Sequence, residues 1–407
     1  MKLKRINYIT KEDVLGKLFE ITQSETYDFY LKYHTKPKKL LKRLEDIALK
    51  VHVYEKIPYV GFTVEQREAK ELLRYYRYER SALGLDLRDT EAIITSLDVA
   101  PAVQAVGWFS RKSLERELKS VEQQWNLSMI GAYQAHKFTK GKKVSVAVID
   151  TGVDYHHPDL INRFEKVVGY NFLNDSQDCR DFNGHGTHVA GIVAGKYTGV
   201  APECQLYALK VLDDDGQGTE FEIIRALEWC IDNKVDIANM SLGSWYGSNA
   251  LKEMCQLASK DVILVAAAGN DGDEIYTFPA SFEGVISVSS VNERKKRSYF
   301  SNYNDLVDIA APGERIYSTF LNDDYEYFSG TSMAAPHVSG VLALYISFAK
   351  KKDFAEEVMK VCAEKLDSEN ARLEFGYGLV RIDRMLDFLR QKGGKNVLRA
   401  LSRQYTG

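Results

Sequence analysis

From residue 143 onward, short apolar runs alternate with segments of helical periodicity. Successive residues of a strand point to opposite faces, so an unbroken apolar run predicts a strand covered on both sides. Residues 144–149, 206–211, 237–240, 262–267 and 285–291 are such runs, and 186–195, 220–233, 250–259 and 332–349 carry helical patterning. Strands alternating with helices predict an α/β fold: a mostly parallel sheet with helices on both faces. The first 120 residues have another texture. There 27–33, 51–54, 59–64 and 103–109 read as strands, and 38–49, 65–79 and 90–97 as helices. That order approximates β-α-β-β-α-β with one helix added, so a smaller α+β ferredoxin-like domain is expected ahead of the main one.

Composition removes several classes. With 407 residues, 45% hydrophobic and 27% charged, the chain has ordinary globular usage and room for two domains, which excludes a low-complexity or collagen-like protein. A net charge of −3 argues against a nucleic-acid partner, which calls for a strongly basic domain. The charge is uneven, however. Residues 1–120 are net +5 and residues 121–407 net −8, so the two parts should attract. Three segments are expected: a basic amino-terminal domain over 1–118, a main domain over 119–390, and a basic tail over 391–407. The tail reads either as a solvated end or as a contact segment for a partner.

Met1-Lys-Leu-Lys-Arg5 has the basic start of a signal peptide, but Lys11, Glu12, Asp13, Lys17 and Glu20 leave no apolar stretch behind it. The apolar run at 338–349 is shorter than the roughly 20 residues a membrane-spanning helix needs, so no membrane association is expected. Five cysteines, an odd number without any C-x-x-C pair, read as reduced thiols. Together these features predict a cytoplasmic protein.

Three segments concentrate nucleophile, base and acid. Asp150 ends an apolar strand, where ligands bind in α/β sheets. His185 lies in Asn183-Gly-His-Gly-Thr-His188-Val-Ala-Gly191, whose glycines let a helix start pack against that strand end. Ser332 lies in Ser329-Gly-Thr-Ser-Met-Ala-Ala-Pro-His-Val338, at the opening of an apolar helix whose positive end favours developing negative charge. Each alone has a plainer reading: a turn-forming Asp, a packing His, a helix-capping Ser. Jointly they are the parts of acyl-transfer catalysis.

Asp150-Thr-Gly-Val-Asp-Tyr-His-His-Pro-Asp-Leu160, His185-Gly-Thr-His-Val-Ala-Gly191 and Gly330-Thr-Ser-Met-Ala-Ala-Pro-His-Val338 resemble, in order, the three signature blocks of the subtilisin-like serine proteases. The resemblance spans about residues 120–385. It implies that Ser332 attacks a peptide carbonyl to form an acyl-enzyme, that His185 carries the proton and that Asp150 orients the imidazole. Asn270, in Val265-Ala-Ala-Ala-Gly-Asn-Asp-Gly272, matches the family's side-chain oxyanion donor. Gly216, Gln217 and Gly218, together with Ser241, Leu242 and Gly243, match the two segments that clamp an extended peptide, while Ala268, Gly269 and Thr277 match the specificity pocket. Thr277 stands where several relatives have Gly, so a shallower pocket is expected, and Asp271, Asp273 and Glu274 nearby suggest tolerance for basic side chains.

The resemblance also implies protein or peptide substrates. The amino-terminal domain would be a cis inhibitor, removed from the zymogen by a cut within 110–124, or else a permanent regulatory or partner-binding domain. No cofactor or metal is expected: the loop 195–199 is too short for the calcium cage of secreted relatives, and the acidic stretch 174–181 reads as a solvated loop. Zinc at His156, His157, His185 and His188 is disfavoured by their spacing. The opposing reading is a catalytically silent subtilisin-like protein that binds peptides or regulates another protein. A dedicated peptide-maturation enzyme is a third.

Overall fold

The computed structural model describes residues 26–32, 48–65, 81–82, 85–86, 96–99, 102–105, 108–109 and 124–391. Contacts divide the chain into two units, residues 1–101 and 102–407.

In the first unit, β1 (Thr26–Lys32), β2 (Lys50–Val53), β3 (Tyr59–Glu65) and β6 (Ser96–Val99) form an antiparallel sheet in the order β2-β3-β1-β6. The short strands β4 (Ser81–Ala82) and β5 (Leu85–Asp86) pair with each other. Tyr30, Tyr54, Tyr59, Val60 and Phe62 are buried. Of the helices expected over 38–49, 65–79 and 90–97, residues 38–47, 66–79 and 90–95 lie outside the described residues. The described ends are corrected: residues 48 and 49 are not helical, residue 65 closes the strand β3, and residues 96 and 97 belong to the strand β6 rather than to a helix. Ser96-Leu-Asp-Val99 alternates polar and apolar residues, the two-residue period of a strand.

The second unit is built on a seven-stranded sheet in which every neighbouring pair is parallel. Its strands are β9 (Ser145–Asp150), β10 (Gly169–Asn171), β11 (Gln205–Lys210), β13 (Ile237–Met240), β15 (Ile263–Ala267), β16 (Val285–Val291) and β17 (Ile309–Pro312), in the order β10-β11-β9-β13-β15-β16-β17. The chain starts the sheet at β9, places β10 at one edge, fills the gap with β11 and then crosses to build outward on the other side from β13 to β17. The carboxyl end of β9, which is Asp150, therefore sits beside the point where strand order reverses.

Every residue of β13 and β16 is buried, so both faces of the sheet are covered. One face, carrying Val146, Val148, Ile237, Val265 and Val288, joins a single core with α3 (His185–Ala194), α6 (Thr331–Ala349) and α9 (Ile382–Arg390). The alternate residues Ala147, Ile149, Ala238, Met240 and Leu264 are equally buried. Helices α4 (Glu220–Asp232) and α5 (Asn249–Ala258), packed on each other, touch β9 and β15. Each fully buried Val, Ile or Leu contributes about 1.5–3 kcal/mol, so this double cover is the main source of cohesion.

Helix α6 is, among the described residues, the one helix long and apolar enough to cross a bilayer, and 89% of its apolar window is buried inside the protein. It begins at residue 331, seven residues before the apolar run read from sequence, because Thr331, Ser332 and His337 are buried along with its apolar side chains. All five cysteines are free and buried. Burial holds the Cys179 and Cys204 thiols up at about 12 and Cys362 at about 11, and raises Cys230 and Cys255 as well.

Two small sheets flank the parallel one. β7 (Ala102–Ala105) lies between β12 (Gln217–Thr219) and β14 (Leu242–Gly243), antiparallel to both. β8 (Trp108–Phe109) adds to the hairpin of β18 (Ile316–Thr319) and β19 (Tyr325–Ser329). The single strand expected over 103–109 is therefore two strands that pair with different partners.

Candidate active site

Asp150 is fully buried as the last residue of β9, and its Oδ1 lies 2.7 Å from His185 Nδ1. The same oxygen accepts the Thr151 N–H at 2.8 Å, which fixes the carboxylate against its own strand end. His185 opens α3. The helix approaches this closely because residue 186 is glycine: a Cβ there would stand 2.0 Å from the Gly152 carbonyl oxygen. Burial works against an imidazolium at His185. The charge and hydrogen bond of Asp150, with Asp181 adding to them, outweigh it and raise the pKa above the ordinary 6.5. With Nδ1–H directed to Asp150, Nε2 is the acceptor, and this buried nitrogen has no hydrogen-bond partner.

Asp181 organises the start of α3. Its Oδ1 accepts from Thr151 Oγ1, Asn183 N and Gly184 N, and its Oδ2 from Thr187 N and Oγ1, all at 2.7–2.9 Å. These donors are the orphan N–H groups of a helix N-terminus and the hydroxyls around it. Asp181 is 5% exposed, so it corrects the reading of 174–181 as a solvated acidic loop. The exposed pair of Asp178 and Arg180 does fit that reading.

Ser332 is the second residue of α6, which packs against α3. Its hydroxyl donates to the Ser241 carbonyl at 2.9 Å. The Ser332 carbonyl accepts from Ser241 Oγ at 2.8 Å. That second bond has a local cause: four residues on stands Pro336, which has no N–H to close the helical bond, so a side chain supplies the donor. Ser241 Oγ accepts from Asn239 Nδ2, and Asn239 Oδ1 from Ser339 Oγ, each at 2.9 Å. Sequence reading assigned Ser241 to peptide binding and missed this network, although Pro336 four residues after Ser332 was a visible signal.

Asn270 follows β15 and serves the same helix. Its Oδ1 accepts from Thr331 N and Thr331 Oγ1, both at 2.9 Å, capping an α6 start whose own N-cap, Gly330, offers no side chain. With the oxygen so committed, Nδ2 is the free end of the amide. It is buried and has no hydrogen-bond partner. His185 Nε2 and Asn270 Nδ2 are thus one acceptor and one donor left open, at the cost of burying polar atoms without partners.

The other residues singled out from sequence divide between a groove and a pocket wall. Gln217 and Gly218 in β12 and Leu242 and Gly243 in β14 are the rails on either side of β7, and Gly216 sits in the turn before β12 with φ +76°. Ala268 is tied to the sheet through its N–H to Val288 O at 3.0 Å. Gly269 donates to Thr331 Oγ1 at 3.1 Å and adopts φ +104°, where a Cβ would collide with Asn302 and Thr277. Thr277 is 4% exposed, and its Cγ2 lies 2.5 Å from where a Cβ on Gly243 would be, so its methyl fills the space between the two walls. The peptide bond between Phe278 and Pro279 is cis.

Among the described residues, no three His, Cys, Asp or Glu side chains come together as a metal site. The histidines near the site have other work. His157 Nδ1 accepts the Asp159 N–H, and its Nε2 donates to Asp324 O. His188 donates through Nε2 to Ile316 O and Glu326 O and stacks on Phe328 at 4.3 Å, and burial drops its pKa to about 3. His156 is exposed.

The model of the subtilase family matches residues 141–378, which include Asp150, His185, Asn270 and Ser332. The major intracellular serine protease of Bacillus subtilis (strain 168) is 45% identical over 231 residues, covering 53% of this chain and 72% of that protein. Thermitase of Thermoactinomyces vulgaris is 35% identical over 250 residues, 60% of this chain and 89% of thermitase. The minor extracellular protease Epr of Bacillus subtilis (strain 168) is 34% identical over 347 residues and covers 81% of this chain, more than residues 102–407 comprise, so that similarity reaches into the amino-terminal unit. The alignment takes in half the length of Epr. With a family match over more than half its length and the site built on that match, the chain belongs to the subtilase family.

Proposed function

We propose that this protein is a serine endopeptidase that hydrolyses protein or peptide substrates through Ser332, His185 and Asp150. The observation that carries the reading is the buried Asp150–His185 pair with Nε2 unpartnered, alongside an Asn270 amide whose nitrogen alone is left to donate. In turnover the Ser332 hydroxyl leaves the Ser241 carbonyl and gives its proton to His185 Nε2 as Oγ attacks the substrate carbonyl. Asp150 holds the ring in the tautomer that can accept and stabilises the cation formed. Asn270 Nδ2 and a backbone N–H at the start of α6 stabilise the oxyanion, aided by the positive end of that helix. The proton then passes to the leaving amine, and water releases the acyl group.

Gly216–Gly218 and Ser241–Gly243 bind an extended substrate by β-pairing, the manner in which β12 and β14 hold β7. Thr277 shortens the specificity pocket at Ala268 and Gly269. Asp271, held by Asn302 Nδ2 and Trp245 Nε1, keeps its negative charge and with Asp273 and Glu274 gives the pocket tolerance for basic side chains. Residues 1 to about 118 act as a ferredoxin-like cis inhibitor, 119–390 as the catalytic domain and 391–407 as a basic tail. The order β2-β3-β1-β6 and the reach of the Epr similarity support the first of these. A cytoplasmic location is supported by the relatives named as intracellular proteases.

Casein hydrolysis and fluorophosphonate labelling of the wild type and Ser332→Ala test the reading. Turnover should fall by about 10⁴–10⁶-fold and labelling should vanish. Labelling indifferent to the substitution would instead favour a catalytically silent peptide-binding protein.

A further inference from the structure

Lys210 closes β11 in register with Asp150, the end of β9, and is only 5% exposed. A buried ammonium needs partners for its charge and its N–H donors. Its Nζ donates to the Thr151 carbonyl at 2.6 Å and to Asp214 Oδ1 at 3.0 Å, and these two partners belong to different parts of the site. Thr151 gives its N–H to Asp150 Oδ1 and its hydroxyl to Asp181 Oδ1, which also accepts from Asn183 N, two residues before His185. Asp214 lies in the turn that leads from β11 into β12, the rail carrying Gln217 and Gly218, and its carbonyl accepts from Asn183 Nδ2 at 2.9 Å. Thr151, Asp181, Asn183, Asp214 and Lys210 thus close a ring of hydrogen bonds, each 2.6–3.0 Å long, with Lys210 as its one cation. The ring joins the strand end that carries Asp150, the helix start that carries His185 and the approach to β12.

We infer that Lys210 is a positioning residue for the proposed reaction: its ammonium holds the β12 rail in register with the Asp150–His185 pair, so that a peptide seated on the rail presents its carbonyl to Ser332. Side-chain packing does not fix the turn, because Asp213, Asp214 and Asp215 are all exposed. Asp213 shapes the turn from within, its Oδ1 accepting from Asp215 N and Gln217 N, and Asp214 anchors it to Lys210. The two ends of the link therefore differ in what they release. Without the Asp214 carboxylate the rail alone is loosened. Without the Lys210 ammonium the buried Thr151 carbonyl also loses its donor, and Thr151 is the residue whose N–H fixes the Asp150 carboxylate. Lys210 touches neither the substrate nor the reacting atoms and acts through both.

This inference rests on the endopeptidase reading, and the kinetics of the full chain on two substrates separate the two. A tetrapeptide p-nitroanilide reaches the rail, whereas p-nitrophenyl acetate has no residue to place there. Gln104 pairs with both rails, so Gln104→Pro, which removes its N–H, is built into every arm to keep β7 from competing. Asp214→Ala should raise KM for the anilide about 3–10-fold and leave its kcat and acetate turnover within about twofold, and Asp214→Glu should restore KM. Lys210→Met should raise KM at least as far and also slow both substrates, and adding Asp214→Ala to it should change nothing further, since the two residues form one link. Should Lys210→Met fail to fold, the two Asp214 variants decide alone. An unchanged KM in Asp214→Ala, or anilide and acetate turnover falling together in that variant, overturns the inference and leaves the endopeptidase reading standing. A parent protein that turns over neither substrate and takes no fluorophosphonate overturns both.

Discussion

Ser241 and Ser332 hold each other by two reciprocal hydrogen bonds, hydroxyl to carbonyl in each direction, at 2.8 and 2.9 Å. One of the two exists because Pro336 cannot serve the Ser332 carbonyl. Ser241→Ala removes a buried donor and leaves both the Ser332 carbonyl and the Asn239 amide short of a partner. It should cost about 1–3 kcal/mol in urea unfolding. A midpoint unchanged from wild type would show that the Ser241 hydroxyl does not anchor the first turn of α6.

Asn270 caps α6 and, on the proposed mechanism, donates to the oxyanion, and Asn270→Asp divides the two. The carboxylate keeps an oxygen for Thr331 N and Oγ1 but has no N–H to give. Activity should fall about 10²–10³-fold while thermal stability changes little. Asn270→Ala should lose the cap too, at a further cost of about 0.5–2 kcal/mol. Equal stability losses in the two variants would refute this division.

The pKa of His185 is raised, and the sign of its effect follows from its proposed role as general base. A base must be neutral to accept a proton, so activity falls as pH drops through that pKa. The acid limb of kcat/KM should have its midpoint above 6.5, because the Asp150 carboxylate stabilises the cation more than burial opposes it. A midpoint at or below 6.5 would contradict the geometry.

Asp181 serves five donors from a buried position. Asp181→Ala leaves all five without their acceptor and frees the first turn of α3, which carries His185. A loss of about 3–5 kcal/mol is expected in chemical denaturation, together with a fall in activity beyond what the unfolded fraction explains. A near-native melting curve would show that the loop finds other acceptors.

Thiol reagents and chelators should both leave the native protein alone. All five cysteines are buried with thiols raised to about 11 or above, so a disulfide reagent should count no reactive thiols until denaturant is added. EDTA should not lower the melting temperature, since among the described residues no three His, Cys, Asp or Glu side chains gather to hold a metal. Rapid labelling in native buffer, or a chelator-induced shift, would show a site the described residues do not account for.

What could be read from sequence depended on range. β13 and β16 match their expected bounds, α3 is shifted by one residue at each end and α6 starts one residue early, because unbroken burial and helical spacing are local signals. Strand β10 escaped notice because three residues are too few to show a period, and β17 because Ile309-Ala-Ala-Pro312 has two small residues and a proline where a strand signal needs bulky or β-branched ones. Helix α9 was legible in principle, since Ile382, Met385, Leu386 and Leu389 fall on one helical face and are all buried. At the site, Asp150 and His185 stood out by their motifs. The service of Ser241 to Ser332 did not, because it joins residues 91 apart in sequence. Asp181 was misjudged because the carboxylates of 174–181 share one loop, and only the fold decides which of them turns inward.

β7 bonds to rails on both sides, so on the proposed reading of the groove a visiting peptide would meet a competitor on a tether. While the chain is continuous, that competitor is present at a local concentration set by the linker, which diluting the protein cannot change. A cut between that strand and the catalytic unit would make it an ordinary ligand, which dilution alone should then release.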